Sequence, residues 1–261
     1  MRPLFLLLAL SFSNVLLADA FDHQHQVWTR LLERHVVWLD KGYASVVDYP
    51  AVQRDSAELD RYLNTLSAVS QADYQRWQPE QRLAFLINAY NAFTLKLLIE
   101  HYPVASIKEI GGLFNSPWQQ AFIPLLGQKL SLDQVEHSMI RAPGVFDEPR
   151  IHFAVNCASV GCPALRTEAF VAERLDEQLE DSQKRFLSDH SRNRFDPVRQ
   201  RFQVSKIFDW YGEDFIKKWG SLPAYFNQHL ALLHPSSEVP ATWEKTRIDY
   251  LDYDWSLNGK G

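Results

Sequence analysis

Apolar residues recur at helical spacing through the first half of the chain. Val27, Leu31, Leu32, Val36 and Leu39 make one face of a helix over residues 27–39. The longest such pattern covers residues 79–101. There Leu83, Leu86, Ile87, Tyr90, Phe93, Leu97 and Leu98 form a wide stripe behind a first-turn proline. Asn88 and Asn91 lie three apart at one flank of the stripe. Asparagine is a poor helix former and costly to bury unpaired, so the pair faces solvent, caps a neighbouring loop or serves a ligand.

The pattern then shortens. Residues 122–126 and 129–132, either side of Gly127-Gln128, predict a hairpin leading into a helix over 133–141. Residues 150–155 (RIHFAV) are rich in β-formers and predict a buried strand, and the small residues of 156–163 predict a loop. Thr167 is placed to cap a helix running to about residue 187. Residues 194–195 and 201–204 flank Asp196-Pro197 as a second hairpin. Ser205 then caps a helix carrying Ile207, Tyr211 and Phe215, on which Trp210 and Tyr211 are expected to pack. Residues 247–258 alternate enough for a final strand or extended cover. The sum is an α+β fold, helix-dominant, with a small, mainly antiparallel sheet and one domain over residues 21–261.

The first twenty residues stand apart. Arg2, the apolar run from Leu4 to Leu10 and the small-x-small pattern Ala18-Asp19-Ala20 predict a signal peptide cleaved after Ala20. Ser11, Ser13 and Asn14 interrupt the run before it reaches the ~20 apolar residues of a membrane span. No later stretch is expected to span either, so the mature chain is expected without stable membrane insertion, in the periplasm or secreted. Composition narrows the class further. With 46% hydrophobic residues the chain is neither disordered nor collagen-like, and its formal charge of −5 argues against a nucleic-acid partner. No cofactor is implied.

Only two cysteines occur among 261 residues, and both lie in the loop after RIHFAV. Cys157 is a candidate nucleophile, with His152 or His137 as base, Glu136 to orient an imidazole, and Asn156, Asn88 or Asn91 to donate to an oxyanion. Arg150, Ser159 and Lys206 are candidate binding residues. Strict strand alternation would put His152 and Cys157 on opposite faces. Against the nucleophile stands a Cys157–Cys162 disulfide, natural in an oxidising compartment, and a dithiol redox pair is a third use of the same sulfurs. His137, His152, Cys157 and Cys162 match no standard metal-ligand spacing, so no metal site is expected.

Five motifs occur in series: INAYNA (87–92), SLDQVEHSMIR (131–141), RIHFAVNCASVGCPAL (150–165), VSKIFDWYGEDF (204–215) and YDWSLN (253–258). Together they resemble the DUF547 family, a domain of unknown function. The resemblance singles out Asn88, Asn91, Glu136, His137, Arg150, His152, Asn156, Cys157, Ser159, Cys162, Ser205, Lys206 and Asp214, and it brings no established activity. A papain- or transglutaminase-like, thiol-dependent hydrolase or acyl/amide transferase is the leading expectation, acting on a small-molecule, peptide or envelope substrate. A non-catalytic envelope-binding module with a structural bridge is the alternative.

Overall fold

The computed structural model describes residues 21–112, 115–234 and 246–260. The expected signal peptide lies outside them. About 52% of the described residues are helical and 13% are strand, so the α+β, helix-dominant expectation holds. The N-terminal half builds a helical layer from α1 (Gln26–His35), α2 (Tyr49–Arg54), α3 (Ser56–Ser67), α4 (Gln71–Arg76) and α5 (Pro79–His101). A short antiparallel pair, β1 (Val36–Trp38) with β2 (Ser45–Val47), follows α1.

α5 is the axis of the fold. Pro79 opens it where its missing N–H costs nothing, and the Gln81 side chain accepts from the Gln78 N–H at 3.0 Å. The stripe read from sequence widens here to an almost fully buried helix, because α2 and α3 pack on it as well as the segment at 134–140. Contrary to expectation, α5 is long and apolar enough to cross a membrane. Yet 89% of its apolar window is buried inside the protein, the pattern of a core helix.

After α5, β3 (Ile123–Leu125) and β4 (Gln128–Leu130) form the expected hairpin, turning through Leu126 and Gly127 at positive φ. The expected helix at 133–141 is a π-helix, Gln134–Ile140. Residues 150–155 are not a strand. Pro149–Phe153 is a 3₁₀ turn, set by the fixed φ of Pro149 and by Glu148, whose carboxylate accepts from the Arg150 N–H. The β-forming composition of this stretch reflects burial rather than extension.

α6 (Leu175–Leu187) starts later than Thr167. The segment before it is tied to α5, since Asn88 both donates to and accepts from the Phe170 backbone. Thr167 instead accepts from the Trp38 indole N–H. β5 (Arg194–Asp196) and β6 (Arg201–Ser205) pair antiparallel, and β7 (Arg247–Leu251) adds parallel to β6. Ser205 Oγ accepts from the Ile207 N–H. The helix expected there breaks at Tyr211 into α7 (Ile207–Trp210) and α8 (Gly212–Trp219), followed by α9 (Leu222–Gln228) and α10 (Leu230–Leu233).

Two apolar clusters result, one around α5 and one phenylalanine-rich cluster built mainly from the C-terminal elements. The 149–153 turn straddles them. Ile151 packs into the first, Phe153 into the second, and His152 sits at the seam.

Candidate functional site

A cleft of about 250 Å³ opens at that seam. His152 lines it from the turn, Val155, Cys157, Cys162 and Pro163 from the segment after it, and Glu136 and His137 from the π-helix. Tyr90 of α5 reaches in, and Trp118, Trp210, Tyr211, Tyr253 and Trp255 supply aromatic walls. The turn, rather than a strand, removes the alternation that would have separated His152 from Cys157.

Asparagines hold this loop in place. Asn91 donates to the Ala154 carbonyl and accepts from the Asn156 N–H. Asn156 in turn accepts from the Ala158 N–H and donates to the Pro163 carbonyl. Those bonds fix Ala158 at φ 61°, a left-handed conformation that alanine rarely adopts. All three asparagines, Asn88 included, are buried with both ends of their amides used by backbone. The fold therefore uses Asn88, Asn91 and Asn156 as scaffold, each through one donor and one acceptor bond, and none of the three lines the cleft.

His152 is 2% exposed, and its Nε2 lies 2.9 Å from Asp214 Oδ2 on α8. Asp214 also accepts from Arg141 Nε at 2.7 Å. Burial alone would raise the Asp214 carboxyl, but the bonds from His152 and Arg141 outweigh it and hold the group well below the usual carboxylate range. It is therefore ionised and can only accept, which assigns the proton of a neutral His152 to Nε2. Burial pushes the His152 pKa down, against the pull of Asp214 and Glu136, so the neutral form prevails at neutral pH. Nδ1 is then a lone pair, buried and without a hydrogen-bond partner among the described residues. The ring stacks on Tyr211, centroids 4.1 Å apart.

Glu136 is 4% exposed, and its Oε1 also lacks a partner among the described residues. The Tyr90 and Tyr211 hydroxyls lie beside this carboxylate. Burial first, and the Glu136 charge second, push both phenols up. Glu136 does not orient His137. His137 is exposed at the rim and accepts from Arg141.

Cys157 and Cys162 have their sulfurs 2.14 Å apart, at disulfide distance. Cys157 is the more accessible of the two. Its Sγ is 3.1 Å from Ser159 Oγ and 3.2 Å from Tyr253 Oη, so hydroxyls rather than an imidazole are its hydrogen-bond partners among the described residues. Tyr253 also donates to Cys162 Sγ.

Arg150 and Lys206 do not line the cleft. Arg150 ties the 149–153 turn to α6 through Asp176 and Glu180, and Lys206 pairs with Asp209. Among the described residues no cluster of three or more His, Cys, Asp and Glu is arranged to hold a metal ion. Sequence reasoning passed over Asp214 as the partner of His152. Only its place in the VSKIFDWYGEDF motif pointed to it. Trp210 and Tyr211, expected merely to pack, are cleft walls.

Fold and site together define a helix-dominant α+β protein with a histidine–carboxylate pair and a cysteine pair sharing one aromatic cleft. Residues 74–187 match the family model described as "Protein of unknown function, DUF547", so the chain carries a DUF547 domain. The match takes in Tyr90, Glu136, His152 and both cysteines, while Asp214 and Tyr253 fall beyond it. No curated protein and no solved structure matches the chain.

Proposed function

We propose that this chain is an exported, thiol-dependent hydrolase or acyl/amide transferase, with Cys157 as nucleophile and His152 as its base. A single observation carries the reading: His152, oriented by Asp214 and left with an unpartnered Nδ1, lines the same cleft as Cys157. The reacting form is the reduced one. A dithiol reductant opens the Cys157–Cys162 bond and leaves as its own disulfide. Nδ1 takes the Cys157 proton, and the thiolate attacks an acyl carbon. A C–S bond forms, the bond to the amine or alcohol breaks, and His152 returns the proton to the leaving group. Water or a second amine then releases the acyl group. The Ser159 and Tyr253 hydroxyls, within hydrogen-bond reach of Sγ, are placed to donate to a thiolate formed there.

The bonded sulfurs favour a second reading, a binding module whose bridge only shapes the cleft. Alkylation separates the two. The protein is treated with dithiothreitol, exposed to iodoacetamide across pH, and Cys157 labelling is followed by peptide mass spectrometry. An enzyme thiol labels with a midpoint well below the ordinary value of about 8.5, and His152→Gln moves that midpoint up. Equal, ordinary midpoints in both proteins, or a bridge that resists the reductant, overturn the enzyme reading.

A further inference from the structure

We infer that the cleft binds a primary ammonium group of the kind carried by a lysine side chain, held between Glu136 and His152 and walled by tryptophan and tyrosine. The inference deepens the reading above by naming a substrate class, and it rests on that reading only in taking this cleft as the place where substrate sits.

Three independent features of the cleft converge on this ligand. Its charged lining is acidic: Glu136 and Asp133 line it, and among the described residues no lysine or arginine does. Its two buried atoms without partners among the described residues are Glu136 Oε1 and His152 Nδ1. With Nε2–H donated to Asp214, both are acceptors, so a ligand that satisfies them brings donors. A primary ammonium carries three N–H donors and a positive charge. A quaternary ammonium has no N–H, and an anion has the wrong sign.

The walls supply the third feature. Tyr253 and Trp255 have ring centroids 4.5 Å apart, and Trp210 and Tyr253 4.9 Å. Such rings attract cations through their electron-rich faces and pack an alkyl stem by dispersion. Two of them already carry cations of this chain. Lys108 Nζ sits 3.8 Å from the Trp255 centroid, and the Arg141 guanidinium carbon 4.7 Å from that of Tyr211. Neither cation lines the cleft, and Arg141 is engaged by Asp214. Trp210, 44% exposed, stands at the wall as a large apolar surface without full cover.

In the proposed chemistry such an amine is the acyl acceptor of a transferase or the side chain next to the bond cut by a hydrolase. Calorimetric titration of the full oxidised protein tests the inference with three probes: Nα-acetyl-lysine amide, its neutral counterpart Nα-acetyl-norleucine amide, and glucose. Saturable binding of the lysine derivative is expected, with the norleucine derivative and glucose at least about tenfold weaker, as a charge-assisted hydrogen bond requires. Glu136→Gln should weaken lysine-amide binding about tenfold or more. Trp210→Ala, at an exposed ring, should weaken it without touching the acceptors. Equal binding of the neutral probe, preferential binding of glucose, or no binding of the lysine derivative overturns the inference. The thiol reading fails separately, since Cys157 alkylation reports on the reduced form and this titration on the oxidised one.

Discussion

Asp214 Oδ2 lies 2.9 Å from His152 Nε2, and this one bond decides which nitrogen of the imidazole is free to act as a base. The two residues are 62 positions apart in the chain, joined by the packing of α8 against the 149–153 turn.

Replacing that carboxylate by an amide removes the decision. In Asp214→Asn the side chain can accept from, or donate to, Nε2, so the tautomer preference is lost. The His152 pKa should fall further, because Asp214 is one of the groups that raises it. Nitrogen-resolved NMR of the wild-type imidazole at neutral pH should show the Nε2–H form alone, and the variant a mixture. Alkylation of reduced Cys157 should slow by about tenfold or more. A wild-type ring protonated on Nδ1 would remove both the base and the ammonium acceptor.

Asn91→Ala should cost stability rather than chemistry. The Asn91 amide serves the Ala154 carbonyl and the Asn156 N–H inside the core. Alanine leaves two buried backbone groups unpaired, at about 1–3 kcal/mol each. Urea unfolding should show a loss of about 2–6 kcal/mol. In the fraction that stays folded, the pH midpoint of Cys157 alkylation should be unchanged. A stable variant whose alkylation midpoint moves would return Asn91 to the catalytic residues.

Much of the fold was legible in the sequence wherever period and local chemistry agreed. The 79–101 pattern with its first-turn proline became α5, and the hairpin expected around Gly127-Gln128 formed with its turn one residue earlier, at Leu126-Gly127. Legibility stopped where burial imitates a β pattern. Ile151, Phe153 and Val155 are buried in RIHFAV, yet Pro149 and Glu148 wind the segment into a turn and Ile151 and Phe153 enter different clusters. The candidate site was half legible. His152, Glu136 and the cysteines stood out because their side chains are chemically distinctive. Asp214 did not, because an aspartate in the first turn of a helix is also what a helix dipole asks for. The asparagines suggested an oxyanion donor, and only the packing of α5 against the loop shows that their amides bond the backbone away from the cleft lining.

Gly161 matters because Tyr253 leans on it. A Cβ there would come within 2.9 Å of the Tyr253 ring and 3.0 Å of the Asp254 carbonyl oxygen. The same tyrosine places its hydroxyl against both sulfurs. Gly161→Ala should displace the ring, costing about 1–3 kcal/mol as overpacking does. It should also remove the Tyr253 hydroxyl from Cys157 and so raise the alkylation midpoint of the reduced protein. Tyr253→Phe, which keeps the ring and drops the hydroxyl, should raise the midpoint with little loss of stability. Unchanged midpoints in both variants would show that the hydroxyl does not act on the thiolate.

Stability should fall as pH drops below about 6.5, and His25 should account for a measurable part of it. His25 is 2% exposed, with Nδ1 2.7 Å from Tyr62 Oη. Burial, against a weaker pull from Asp22, brings its pKa down to about 3. The unfolded chain takes up a proton on this ring near pH 6.5 while the folded chain does not. Between those values the unfolded state therefore binds more protons, and each pH unit costs about 1.4 kcal/mol per such histidine. His152, also lowered by burial, acts in the same direction. Glutamine at position 25 can accept from the Tyr62 hydroxyl without titrating. His25→Gln should thus lose about 2–3 kcal/mol less than wild type between pH 7 and pH 4.5, read from urea midpoints at constant slope. The shared loss from carboxylate protonation cancels in that difference. Parallel stability curves for the two proteins would show that His25 is protonated as readily folded as unfolded.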